Sequence, residues 1–292
     1  MNTNELLAYF REEVQPTRSE TRQTWGIFWG QFKIFLTYRT WVITETFNTI
    51  VSIAMYYFLS FQVQPTQLEE RGYGTSYLAF ALIGVAFANY LWFCINRISH
   101  SMQDEIREGT FETIAASPIR MRSYLFGQAG RGFLIGLYYM LGALAVGVLG
   151  FKAPLHFEPA ALVTSSLVLV FMVLSHLGLG IVVAGVVLVY KQGDPLTFML
   201  SLFMEFFAGA LFPLQLLDRY PALAFASQVM PYTYALDALR KSLIQGATAL
   251  SAEILFDLGV LVVYAAILLP LGLWSFRIGY DRIRREGTTS VY

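Results

Sequence analysis

Cysteine and charge are both scarce in this chain. A single cysteine, Cys94, excludes an internal disulfide, and its place in an apolar run marks it as a packing residue. Only 14% of the 292 residues are charged, against about 25% in an average soluble protein. With 56% of the chain hydrophobic, the apolar excess exceeds what a soluble core could hide, so the sequence reads as an all-α integral membrane protein. A formal net charge of zero gives no electrostatic footprint for nucleic acid. There is no Gly-x-x-x-x-Gly-Lys-Ser/Thr loop and not even a Gly-Lys dipeptide, so no ATP site of the usual kind and no cofactor site is expected in this chain. His100, His156 and His176 are scattered, and neither metal-ligand spacing nor a His-Glu-x-x-His pattern occurs. That argues against metal binding and against an intramembrane metalloprotease. Met1 to Glu20 is polar, with no continuous apolar core, and is not expected to act as a cleavable signal.

Six runs are apolar and long enough to cross a bilayer: roughly Trp41–Phe61, Thr75–Ile95, Tyr124–Gly150, Ala160–Tyr190, Leu196–Leu217 and Ala252–Phe276. The third is rich in glycine, which permits close helix packing. The last carries Pro270 as an expected kink. Ahead of them, residues 1 to about 21 are expected to form a short surface helix and linker. From Arg22 to Thr40, Trp25, Phe28, Trp29, Phe32 and Leu36 recur at helical spacing beside Lys33 and Arg39. This pattern suits an amphipathic helix in the headgroup layer, or else the end of the first span. The chain divides accordingly into a cytoplasmic segment and interfacial helix (1–40), a six-span domain (41–276) and a tail (277–292).

Lysine and arginine set the orientation. Arg11, Arg18, Arg22, Lys33, Arg39, Arg97, Arg107, Arg120, Arg122, Lys191, Arg277, Arg282, Arg284 and Arg285 fall on one side. Arg71, Lys152, Arg219, Arg240 and Lys241 fall on the other. Both termini are therefore expected in the cytoplasm of a cell-membrane protein.

The segment between spans two and three is the most charged in the first half of the chain. Asp104, Glu105, Arg107 and Glu108 crowd together before Gly109, which can end a helix in the left-handed conformation. Thr110 is placed to cap a second short helix through Phe111, Glu112 and Ala116, which Ser117-Pro118 stops. Two short polar helices here form either a docking surface or a plain loop. Between spans five and six, Pro213, Pro221 and Pro231 cut a stretch that is nevertheless apolar into pieces too short to span. Such backbone either dips back into the outer leaflet, buried in protein or lining a cavity, or packs over the outer ends of the spans. Glu45 in span one and Glu205 in span five are acidic groups within apolar runs, which cost about 2.5 kcal/mol or more in hydrocarbon. Each is a candidate for the substrate path or for proton carriage, or else a packing residue, and the Phe206-Phe207 pair lies beside the second. Arg131, about two turns into span three, could snorkel or pair with one of them.

Two motifs carry a family resemblance. Glu108-Gly-Thr-Phe-Glu-Thr-Ile-Ala-Ala-Ser-Pro118 resembles the Glu-Gly-Thr-Leu-Glu-x-Leu-x-x-Ser/Thr-Pro pattern of type-2 ABC exporter permeases, departing mildly at Phe111 and Ile114. Phe212-Pro-Leu followed by Met230-Pro-Tyr-Thr-Tyr-Ala-Leu-Asp-Ala-Leu-Arg240 is similar to that family's stretch after span five. The resemblance implies a permease homodimer with two copies of a separate ATP-binding subunit, which would hold the ATP and Mg. It further implies that Asp104 to Glu112 lie in a cytoplasmic coupling helix, and that Phe212, Pro213, Pro231, Tyr232, Tyr234 and Arg240 belong to re-entrant helices forming an outer gate. The cargo expected is a hydrophobic or amphipathic small molecule, a lipid or a lipid-linked glycan. The competing expectation is a proton-coupled secondary transporter using Glu45 and Glu205, although paired broken helices in two repeated halves, which would favour it, are not seen.

Overall fold

The computed structural model describes residues 19–63, 65–69 and 72–286. The expected surface helix before residue 19, Glu70 and Arg71 of the first loop, and the end of the tail lie outside the described residues. Every regular element among those described is helical.

Helix α1 (Glu20–Thr37) ends at Tyr38, and α2 (Arg39–Ser60) starts after it. The aromatic segment is thus a helix of its own and not the end of the first span. It docks on α6 (Met121–Ala145), where Gly127 and Gly130 leave room for Ile27 and Phe28. Trp25, Trp29 and Leu36 stay exposed on its other side. Helix α3 (Pro65–Glu69) sits in the first loop, and α4 (Tyr77–Arg107) begins where the Ser76 hydroxyl accepts from the Ala79 amide at 3.2 Å.

At 31 residues, α4 is about 46 Å long, so it extends about 15 Å beyond a hydrocarbon layer of about 30 Å. The charged segment is therefore not two short helices. Its first half is the protruding end of α4, and only α5 (Phe111–Ala116) is separate. Gly109 takes φ +70° and ends α4 as expected. Thr110 does not cap α5, because its hydroxyl donates to Glu105 instead.

Helix α6 runs into a five-residue π turn, Val146–Gly150, and Pro159 opens α7 (Pro159–Tyr190). The expected fifth span is helical only as α8 (Asp194–Phe207), 14 residues or about 21 Å. Gly209 at φ +64° and the extended Pro213 break the apolar run beyond it. Among the described residues five helices are long and apolar enough to cross a membrane, and a sixth crossing requires α8 together with this broken stretch. Two short helices follow, α9 (Pro221–Gln228) and α10 (Pro231–Gln245), each opened by the proline that the sequence marked as a break. Helix α11 (Ala252–Glu286) is assigned as one helix with Pro270 inside it.

The core centres on α4, α7, α10 and α11. Helices α7 and α11 approach backbone to backbone at two levels, Gly178 against Gly272 and Gly185 against Gly279. A Cβ on Gly272 would sit 2.5 Å from the Gly178 carbonyl oxygen, so only glycine allows the crossing. By contrast α2 is mostly uncovered, with Ile43, Phe47 and Phe58 each about two-thirds exposed.

Candidate functional site

Two regions carry the polar chemistry, one at each end of the bundle. At the end where α4 protrudes, the Gln103 side chain is buried and bridges to the turn between α7 and α8. Its Nε2 donates to Asp194 Oδ2 at 3.0 Å, and its Oε1 accepts from the Gly193 amide at 2.8 Å. Arg107 donates to the same Asp194 oxygen at 3.3 Å, and His100 Nδ1 lies 3.1 Å from Asp194 Oδ1. On the next face, Glu105 accepts from the Tyr124 hydroxyl of α6 at 3.1 Å and from Thr110. Phe111 is buried among Ile106, Tyr124, Val187 and Phe276, with its ring edge-on to Tyr280 of α11.

The α4–α5 corner is thus fastened to three other elements at once. What it leaves outward is Asp104, Arg107, Glu108, Gly109, Thr110 and Glu112, all exposed. Hydrogen bonds of 2.8–3.3 Å tie the corner to α6 and to the turn between α7 and α8, and the Phe111–Tyr280 ring contact ties it to α11. The sequence pointed to the exposed residues but not to their anchors, Gln103, Tyr124 and Asp194. Asp194 had a signal, since Gly-Asp-Pro is a helix-opening pattern; Gln103 had none.

At the other end, α10 is wedged against α4, α7 and α11. Arg240, 2% exposed, reaches the break after α8: its Nη2 donates to the Ala210 carbonyl at 2.8 Å and to the Phe80 carbonyl at 3.4 Å. Its guanidinium carbon lies 3.5 Å from the centre of the Phe80 ring, a cation–π contact. Burial pulls the Arg240 pKa down to about 10, which leaves it charged at neutral pH. Tyr77 donates to the Leu211 carbonyl at 3.2 Å, and Tyr232 to the Gly84 carbonyl at 2.8 Å. Gly84 has no room for a side chain, since a Cβ would fall 1.9 Å from the Ala210 oxygen. The carbonyls exposed by the broken backbone are therefore met by side chains, which apolar surroundings demand. Pro213, Pro231 and Tyr232 are buried with Arg240, whereas Phe212 and Tyr234 are half-buried at the margin, Tyr234 donating to the Gln228 carbonyl at 2.9 Å.

The two acidic groups do not meet a common partner. Glu205, near the end of α8 rather than in mid-span, lines a cavity of about 270 Å³ with Asn89, Trp92, Ser201 and Tyr232. Phe206 and Phe207 do not line that cavity; Phe206 packs edge-on against Phe207 and Phe212, each at 5.3 Å. Glu45 is half-buried in the first turns of α2. Arg131 pairs with neither acid: its Nη1 donates to Gln31 of α1.

An all-helical bundle with five membrane-length helices, a charged corner fixed to the bundle and a proline-broken hairpin braced at the opposite end defines a multi-span membrane protein. The family model of the ABC-2 type transporters matches residues 22–244, from α1 almost to the end of α10. The chain belongs to that family, as a membrane component of a transporter. A search of curated proteins finds no match.

Proposed function

We propose that the chain is the permease subunit of an ATP-driven exporter in the cell membrane, with both termini cytoplasmic. It works as a homodimer with two copies of a separate ATP-binding subunit, which carries ATP and Mg. The cargo is a hydrophobic or amphipathic molecule, a lipid or a lipid-linked glycan, moved outward. The observation that carries this reading is the α4–α5 corner, whose outer face is charged and whose inner face is bonded to α6, α8 and α11. Asp104 to Glu112 then serve as the coupling helix, and closure of the ATPase dimer pushes the corner as a lever. Phe212, Pro213, Pro231, Tyr232, Tyr234 and Arg240 form the outer gate. The division into residues 1–40, 41–276 and 277–292 follows this assignment, with lever and gate both inside the membrane domain.

The test is co-purification with candidate ATP-binding subunits followed by ATPase and transport assays on the reconstituted complex. In that assay Glu108→Lys, which reverses an exposed charge, is expected to lower transport per ATP hydrolysed about fivefold or more while leaving the permease inserted. Coupling equal to that of the unaltered complex would remove the corner from the mechanism.

A second reading is kept alive by one observation, the placement of Glu205 in a cavity between α4 and α8. If that carboxyl carries protons, Glu205→Gln abolishes solute movement driven by a pH gradient in liposomes containing this chain alone. If no such movement exists in the unaltered protein, the secondary-transporter reading fails.

A further inference from the structure

Two arginines on different helices converge beneath α1 without a carboxylate to neutralise them. Arg97 is the first charged residue of α4, placed where that helix leaves its apolar stretch. Arg131 projects from α6. Both donate to one neutral acceptor, the side-chain oxygen of Gln31 on α1, Arg97 at 3.2 Å. The Nε of each guanidinium is buried with no hydrogen-bond partner. Among the described residues neither arginine has a carboxylate within ion-pair distance; Asp104, exposed about two turns further along α4, acts on both only at longer range, as Glu105 does on Arg97. The one nearby imidazole, His100, lines the same cavity as the two arginines, with its Nδ1 3.1 Å from Asp194 Oδ1.

Two like charges sharing a single amide oxygen at a half-buried site are undercompensated, and the arrangement invites an anion. There is space for it. The arginines line a cavity of about 350 Å³ with Tyr38, Trp92 and Asn96, and the Asn96 side-chain oxygen is likewise buried without a partner. Beside it runs a second cavity of about 540 Å³, lined by Leu36, Val42, Ile43 and Leu134, and the two meet at Phe35. One compartment is cationic and the other mostly apolar, with Arg39 also in its wall, at the level where α1 lies along the bundle. A soluble anion would use only the first; a lipid uses both.

We propose that Arg97, Arg131 and Gln31 bind the phosphate of an anionic membrane lipid, with its acyl chain in the groove between α1, α2 and α6. Guanidinium forks suit phosphate oxygens because two N–H groups can be offered in one plane. Such a lipid would fasten α1 to α4 and α6, and so sits behind the lever and separately from the cavity at Glu205.

Native mass spectrometry of the purified chain, titrated with phosphatidylglycerol and with phosphatidylcholine, tests this. The expected result is preferential retention of phosphatidylglycerol, weakened roughly thirtyfold in R97Q/R131Q, with phosphatidylcholine unaffected. Gln31→Glu is the second variant. It supplies a carboxylate within reach of both guanidiniums, keeps them satisfied if no lipid binds, and is expected to expel the lipid without unfolding the chain. Equal retention of phosphatidylglycerol by the unaltered chain and by Gln31→Glu would overturn the proposal. Displacement of the lipid by millimolar inorganic phosphate would also overturn it, by assigning the site to a soluble anion.

Discussion

Replacing Arg240 with methionine is expected to destabilise the protein by about 2–3 kcal/mol, lowering the midpoint of thermal unfolding in detergent by roughly 5–10 °C. The opposite expectation is reasonable at first sight. A fully buried charge is costly, and an apolar side chain of similar length removes that cost. The acceptors decide the sign. Arg240 donates to the Ala210 carbonyl at the point where α8 has already ended, so no helical amide stands ready to replace it. Its guanidinium carbon also lies 3.5 Å from the centre of the Phe80 ring, and methionine recovers only part of that contact. Gly84 packs within contact of the same carbonyl, so the break cannot move toward α4 to find another donor. Arg240→Lys should fall between the two, since an ammonium lacks the planar fork that covers the ring while donating. Heating followed by size-exclusion chromatography measures all three proteins, and a methionine variant that melts at or above the unaltered protein would show that the brace is dispensable.

Much of this arrangement was legible in the sequence, and the parts that were not share a cause. Apolar runs located the long helices because composition alone decides whether a segment prefers hydrocarbon. Composition says nothing about backbone continuity. The run from Leu196 to Leu217 is apolar throughout, yet Gly209 in a left-handed conformation and Pro213 end the helix early, and Glu205 moves from mid-span to a helix end. In α4 the error ran the other way: charge made the segment before Gly109 read as a short helix apart from span two, although nothing before Gly109 interrupts the helix. Proline and glycine positions were read well as boundaries, since Pro221 and Pro231 each open a helix and Gly109 closes one. Side-chain partners were the least legible. Arg131 was expected to snorkel or to meet an acid and instead found Gln31, a hundred residues away on the interfacial helix. Arg240 was assigned to a gate by resemblance, whereas its bonding to Ala210 and Phe80 follows only from where α8 stops.

Asp194→Ala is expected to separate the stability of the bundle from the transmission of force through it. The carboxylate meets His100, Gln103 and Arg107, but it is 45% exposed, and its exposed pairs with His100 and Arg107 contribute about 0–1 kcal/mol each in water. The thermal midpoint should therefore move little. The geometry at the corner should change more, because Asp194 makes most of the side-chain contacts that tie the end of α4 to the turn joining α7 and α8. With it gone, Gln103 keeps only the Gly193 amide, and the end of α4 is held on its other faces by Tyr124, Phe111 and the buried Met102 and Ile106. Amide hydrogen exchange across residues 104–117 should accelerate by about tenfold for each 1.4 kcal/mol of local stability lost. In the complex with its ATP-binding subunit, hydrolysis should continue while transport per ATP falls between about five- and 150-fold, the range of ordinary coupling energies. The two readouts fail separately. Unchanged exchange would mean that the corner is held without Asp194, whatever the chain carries. Faster exchange with intact coupling would mean that force enters the bundle by another route, and the lever would have to be sought along α1 and α6.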